Sequence, residues 1–179
     1  MSERIVILLV LLIALAGACR DPGGDPPEPD AAIDAEVVTF DHPARVLQIR
    51  DGDTIEVRFL DTEVSVRLLG VDTPELGPPV EPYAAEAKLF TTQYASPGTT
   101  VGLEFDDEAC GVIPFPTTCF DLYDRMLAYV RTPEGYDLNA LLLANGLARV
   151  YDAATFDRKD AYLQTQSQAQ SQGIGLWSQ

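Results

Sequence analysis

A single histidine, His42, stands in a chain of 179 residues. It has no neighbouring cysteine or second histidine, so the donor sets of zinc and copper sites are missing. Cysteine is nearly as scarce, with three in all; Cys19 lies near the N-terminus, and Cys110 and Cys119 are the only other pair. Positive charge is short as well. Twelve Lys and Arg face 28 Asp and Glu for a net charge of −16, which denies the chain a basic field for drawing in nucleic acid from a distance. That deficit does not exclude a nucleic-acid site, because a metal ion and well-aimed arginines can work inside an acidic surface at some loss of association rate. The apolar run Ile5 to Ala16 is shorter than the roughly 20 residues a membrane-spanning helix needs. No internal repeat is visible, and the length suits one compact domain.

What the chain does have is a charged stretch inside an apolar one. Val66 to Glu75 reads Val-Arg-Leu-Leu-Gly-Val-Asp-Thr-Pro-Glu, an apolar strand with one arginine that runs into an acidic turn. A guanidinium among Val66, Leu68 and Leu69 requires an anion to face it. Asp72 and Glu75 could supply it, and the group could be no more than a self-neutralising cluster. A second acidic turn, Asp51-Gly52-Asp53-Thr54, and a second arginine in Asp121-Leu122-Tyr123-Asp124-Arg125 argue for more. Carboxylates without imidazole or thiolate suit a hard, oxygen-seeking cation such as Ca²⁺ or Mg²⁺, and two arginines suit a phosphate.

Periodicity places these residues. Val46 to Ile49 is apolar and precedes the Asp51-Gly52 turn; Ile55, Val57 and Phe59 alternate with Glu56 and Arg58 as a half-buried strand does. A turn at Leu60 to Glu63 leads into Val64 to Leu68, a third strand. Glu81 to Tyr94 reads as a helix with Tyr83, Ala87, Leu89 and Phe90 on its apolar face, ended by Pro97-Gly98. Val101, Leu103 and Phe105 make a fourth strand and Met126 to Val130 a fifth. Leu138 to Asn145 is a short helix closed by Gly146, and Lys159 to Gln172 a longer polar one with Ala161, Leu163 and Ala169 facing in. Trp177 is expected to plug the core. The pattern is α+β and mainly β, and five strands with a helix after the third fit an OB-fold, the five-stranded Greek-key barrel, with about three packed helices; periodicity alone does not separate it from another small α+β sheet.

The order of motifs resembles the staphylococcal nuclease (thermonuclease) family: Asp51-Gly52-Asp53-Thr54, Arg67 to Glu75, Pro82-Tyr83 with Glu86-Ala87, Tyr123-Asp124-Arg125 with Leu127 to Val130, Asn139, Gly146-Leu147-Ala148 and Gly175-Leu176-Trp177. The resemblance implies an OB-fold barrel and a Ca²⁺-dependent nuclease acting on DNA, RNA or both. It implies Asp53, Asp72 and the backbone carbonyl of Thr73 as Ca²⁺ ligands, with Asp51 behind them. It assigns Arg67 and Arg125 to the phosphate, Glu75 to orienting or deprotonating the attacking water, and Tyr123 to the nucleotide. Three departures stand out. Asp124 replaces the family's usual glycine, Leu122 replaces a frequent lysine, and the stacking tyrosine expected soon after Ala148 has only Tyr151 as a candidate.

Residues 1–18 read as a secretion signal, with Arg4 ahead of the apolar run and Ala16-Gly17-Ala18 before Cys19. Small residues ending at a cysteine resemble the bacterial lipobox, which implies lipidation of Cys19 and a membrane anchor, with the outer membrane favoured by the residue that follows. Residues 19–40 are rich in Pro, Gly and Asp and read as a tether, leaving 41–179 as the folded domain, expected as a monomer. An exported chain meets an oxidising compartment, so Cys110 and Cys119, in a short loop with Pro114 and Pro116, are expected to bridge. Two other readings stay open: a non-catalytic OB module that binds nucleic acid or protein at the cell envelope, and a structural envelope lipoprotein without metal dependence.

Overall fold

The alternation of apolar and polar residues closes into a barrel. The computed structural model describes residues 38–178; the signal segment 1–18, Cys19 and nearly all of the tether lie outside them. Strands β1 (Pro43–Ile49), β2 (Thr54–Phe59), β3 (Thr62–Leu68), β5 (Thr100–Glu104) and β6 (Met126–Arg131) form a closed barrel in the order β1-β2-β3-β6-β5. Only β3 and β6 run parallel, and β5 pairs back onto β1. This is the OB-fold barrel. A two-residue strand β4 (Val71–Asp72) pairs with β7 (Arg149–Val150) beside it. Helices α1 (Ala84–Tyr94), α2 (Leu138–Ala144) and α3 (Lys159–Ser171) complete the domain.

The β2–β3 hairpin shows how sequence sets the site. Ile55, Val57 and Phe59 are fully buried, each worth about 1.5–3 kcal/mol of apolar transfer. Leu60 and Asp61 turn the chain with φ of 46° and 62°, the left-handed pair of a two-residue hairpin loop. The turn fixes the register, with Phe59 opposite Thr62 and Thr54 opposite Arg67. Because β3 sends Val64, Val66 and Leu68 into the core, Arg67 must project from the opposite face.

Several side chains differ from the periodicity reading. On α1 the buried positions are Ala84, Ala87 and Thr91, while Leu89 is 69% exposed. The reason is distance: Gly52 lies so close to α1 that a Cβ there would meet Ala87 Cβ at 2.7 Å, and only small residues fit the seam. On α3 the buried residues are Tyr162 and Ala169, while Ala161 and Leu163 are exposed. Tyr162 wins because its hydroxyl reaches Asp137 at 3.1 Å and its ring meets Tyr129 edge-on. Trp177 is half-buried under the Arg149 guanidinium, 4.6 Å from the ring centroid, instead of filling the barrel. At the N-terminal boundary, Phe40 packs on Gly102, so the packed chain begins slightly upstream of Asp41.

Cys110 and Cys119 are disulfide-bonded. Their loop sits on the barrel through Phe115, stacked on Phe59 at 5.8 Å, and through Gly111, whose backbone presses on the His42 ring. Among the described residues no helix is long and apolar enough to cross a membrane.

Candidate active site

The two arginines emerge side by side because β3 and β6 are parallel neighbours. Arg67 lies on β3, and Arg125 immediately precedes Met126, which pairs with Val66. Both line a cleft of about 360 Å³ with Asp72, Glu75, Asp121, Leu122, Tyr123 and Tyr151. Each guanidinium is held by carboxylates. Arg67 Nη1 lies against Asp53 Oδ2 as an ion pair without hydrogen-bond geometry, and Nη2 donates to Asp72 Oδ1 at 2.6 Å. Burial pulls the Arg67 pKa below its ordinary value, with Asp72 opposing this and the neighbouring Arg125 adding to it. The group stays charged at neutral pH. Two cations this close, one of them desolvated, are each balanced by carboxylates of their own.

Asp53 is the buried centre, 3% exposed. Its Oδ2 accepts from Thr73 N at 2.7 Å and Thr73 Oγ1 at 2.9 Å, and its Oδ1 accepts from Thr54 Oγ1 at 3.1 Å. Asp51 Oδ1 accepts from Asp53 N at 3.1 Å and so shapes the turn from behind. Thr91 Oγ1 donates to Gly52 O at 2.5 Å, clamping that turn to α1. Asp72 is half exposed, with its side chain at 49%, and Glu75 is exposed at the cleft's edge. The carboxylates of the two acidic turns are therefore partly neutralised, because Arg67 bridges Asp53 and Asp72.

Those carboxylates fit a hard cation in chemical type, and a positive group already sits between them. With Asp51 and Glu75 nearby the cluster keeps surplus negative charge. Among the described residues no group of three His, Cys, Asp or Glu side chains converges with metal-holding geometry. A cation here would therefore draw on backbone oxygen, that of Thr73 included, and on water or substrate.

Asp121 is the cleft residue that sequence reasoning passed over. One oxygen accepts the backbone N–H of Tyr123 at 2.9 Å and of Arg125 at 3.0 Å; the other accepts Arg125 Nε at 2.8 Å and faces Nη2 at 2.6 Å. Burial would raise its carboxyl pKa, but these donors outweigh that and hold it below the usual value. Its signal was an Asp two residues ahead of a turn. Thr54 was missed too; its hydroxyl lies 3.5 Å from Arg125 Nη1. Asn139, fully buried, accepts from Val130 N at 3.1 Å and donates to Leu69 O at 2.9 Å, tying α2 to β6 and to the segment that carries Asp72.

The family model described as "Staphylococcal nuclease homologue" matches residues 65–179. The chain belongs to the staphylococcal nuclease family. It is 33% identical over 138 residues to the thermonuclease of Staphylococcus hyicus, covering 75% of each chain. It is 30% identical over 183 residues to the thermonuclease of Staphylococcus intermedius, covering 98% of this chain and 96% of that one. The SPbeta prophage-derived endonuclease YokF of Bacillus subtilis (strain 168) is 33% identical over 133 residues, which cover 72% of this chain and 41% of that one.

Against the family pattern, the departures gain a physical reading. Asp124 has φ of 59°, so the turn keeps the left-handed conformation that a glycine would adopt freely. Leu122 is 98% exposed and Tyr123 80%, with the Tyr123 ring 5.3 Å from the Arg125 guanidinium. Tyr151, the nearest candidate for the stacking tyrosine, lines the same cleft, and its N–H donates to Gly70 O at 3.0 Å.

Proposed function

We propose that the protein is a Ca²⁺-dependent nuclease that hydrolyses phosphodiester bonds of DNA, RNA or both, exported and anchored through lipid on Cys19. The observation that carries the catalytic reading is the convergence of Arg67 and Arg125 on one cleft beside Glu75, with their carboxylate partners behind them. A purely structural cluster would gain nothing from setting a desolvated guanidinium next to a second one. In a nuclease the pair has work to do, since two forked donors grip the non-bridging oxygens of a phosphate and strengthen as negative charge gathers there.

Glu75, exposed at the cleft's edge, holds or takes the proton of the attacking water. Asp121 aims Arg125; Asp53 and Asp72 aim Arg67. Tyr123 and Tyr151 offer ring faces to bases. Asp53, Asp72 and the Thr73 carbonyl would hold Ca²⁺, which supplies Lewis-acid neutralisation of the phosphate when bound. Nuclease relatives, two of them thermonucleases, support the reaction class.

The test is hydrolysis of single- and double-stranded DNA and of RNA by the purified chain with Ca²⁺ or chelator. Chelation should abolish cleavage. Binding of Ca²⁺ and nucleic acid without cleavage under any condition would leave a non-catalytic OB module instead. Incorporation of labelled fatty acid, lost in Cys19→Ser, tests the anchor.

A further inference from the structure

The site offers an extended nucleic-acid strand very little. Outside the cleft, most cations among the described residues are engaged by carboxylates: Arg50 by Glu56, Arg58 by Glu63, Arg131 and Arg158 by Glu104 and Lys159 by Asp152; Arg45 and Lys88 line neither the cleft nor the hollows beside it. Arg149 is laid over Trp177. The two hollows that adjoin the cleft hold no surplus of positive charge. One shares Tyr123 and Arg125 with the cleft and continues past Asp51, Glu56 and the Arg50 that Glu56 holds; the other shares Asp72 and continues past Glu81 and the Arg149 that lies over Trp177. Asp124, at the tip of the hairpin that carries Arg125, adds a further charge. A strand leaving the two arginines in either direction meets carboxylates where a long-strand binder would present a basic track.

The same rim is rich in apolar surface. Leu122, Tyr123 and Tyr151 are 98%, 80% and 49% exposed, and all three line the cleft. Their faces are uncharged, and stacking on an aromatic face tolerates any base.

We propose that recognition is confined to one phosphodiester and the bases beside it, so that the preferred substrates are short, single-stranded oligonucleotides. Stacking on Tyr123 and Tyr151 and contact with Leu122 supply the affinity that a basic track supplies elsewhere. This rests on the nuclease reading and narrows its substrate class. It carries a signature that a basic nuclease cannot have. Each added phosphate beyond the cleft meets repulsion and not attraction, and salt relieves it.

The experiment measures kcat/KM per bond for oligothymidylates of about 4, about 16 and about 40 nucleotides, a range set by typical single-strand site sizes, at saturating Ca²⁺. For the shortest substrate, two arginine contacts predict a log–log salt slope no steeper than about −1.4. For the longest, the slope should be flatter still or positive, and kcat/KM per bond at low salt should be no higher than for the shortest. Leu122→Lys should steepen the long-strand slope by about 0.7, and Tyr151→Ala should raise KM about tenfold at every length. A slope steeper than about −3, with kcat/KM per bond rising with length, overturns the proposal and leaves the nuclease reading standing. Absence of cleavage at every length and salt concentration removes both.

Discussion

Replacing Asp121 with alanine should cost the enzyme far more in turnover than in substrate binding. The carboxylate accepts from two backbone N–H groups and from Arg125 Nε within 3.0 Å, and pairs with Arg125 Nη2 at 2.6 Å. It thereby fixes both the hairpin tip and the direction of the Arg125 fork. Removing a preorganised donor aimed at developing charge typically costs a hundredfold to a thousandfold, about 2.7–4 kcal/mol. Asp121→Ala does not delete the donor but frees it to wander. The lower figure therefore applies, a fall in kcat of about a hundredfold, because misplacement by an ångström is already that costly. Tyr123 loosens with the same hairpin, so KM should rise by only a few fold. Asp121→Asn keeps one carbonyl oxygen for the backbone donors and loses the charge, and about tenfold in kcat is expected. Steady-state rates on a short oligonucleotide at neutral pH, with melting recorded for each variant, decide the matter. An Asp121→Ala protein that melts like the wild type and keeps kcat within about threefold would refute the positioning role.

Four further outcomes follow from the geometry. Asp124→Gly should raise kcat/KM and melting temperature together, since it removes a charge beside the phosphate site and relieves a φ of 59°; a drop in either would contradict this. Reducing the Cys110–Cys119 bond, whose sequence separation is 9, should cost about 2–3 kcal/mol of stability by freeing a short loop in the unfolded chain, read from denaturant melts with and without reductant. Ca²⁺ at a hundredfold excess over its dissociation constant should add about 2.7 kcal/mol, a gain that Asp53→Ala should abolish. Stability should fall at both pH extremes. Asp121 and Glu104 are held below their ordinary values of 3.8 and 4.5, so their contribution is present above those values and is lost as pH falls through the lower folded ones. Tyr129 and Tyr162 are held above 10.0, chiefly by burial and then by Asp106 and Asp137, so theirs is complete below pH 10.0 and fades as pH rises further. A melting temperature that is flat below pH 4 or above pH 10 would contradict these assignments.

The barrel was legible because strands announce themselves locally. A period of two in Ile55, Val57 and Phe59 is set by the pleat of one strand and needs no knowledge of its neighbours. Helix faces were less legible, because what α1 and α3 bury is decided elsewhere: by the approach of Gly52 to Ala87, and by Asp137 reaching for the Tyr162 hydroxyl. Of the site, the arginines and acidic turns stood out as charge within apolar sequence. The structure brings Arg67, Asp72, Glu75, Tyr123 and Arg125 to one cleft, with Asp53 and Thr73 behind Asp72 and Arg67. Asp121 was hidden because a single Asp beside a turn is common, and its four contacts exist only once the hairpin from Phe120 to Met126 has closed.

The central claim is that Arg67, Arg125 and Glu75 act on one phosphate, and single-turnover cleavage of a short single-stranded oligonucleotide tests it most directly. With Ca²⁺ saturating and Ca²⁺ affinity measured separately, Arg67→Ala, Arg125→Ala and Glu75→Gln should each lower the cleavage rate by about a hundredfold or more, while Glu75→Gln still binds Ca²⁺. Rates unchanged in Arg67→Ala and Glu75→Gln would place the chemistry outside this cleft.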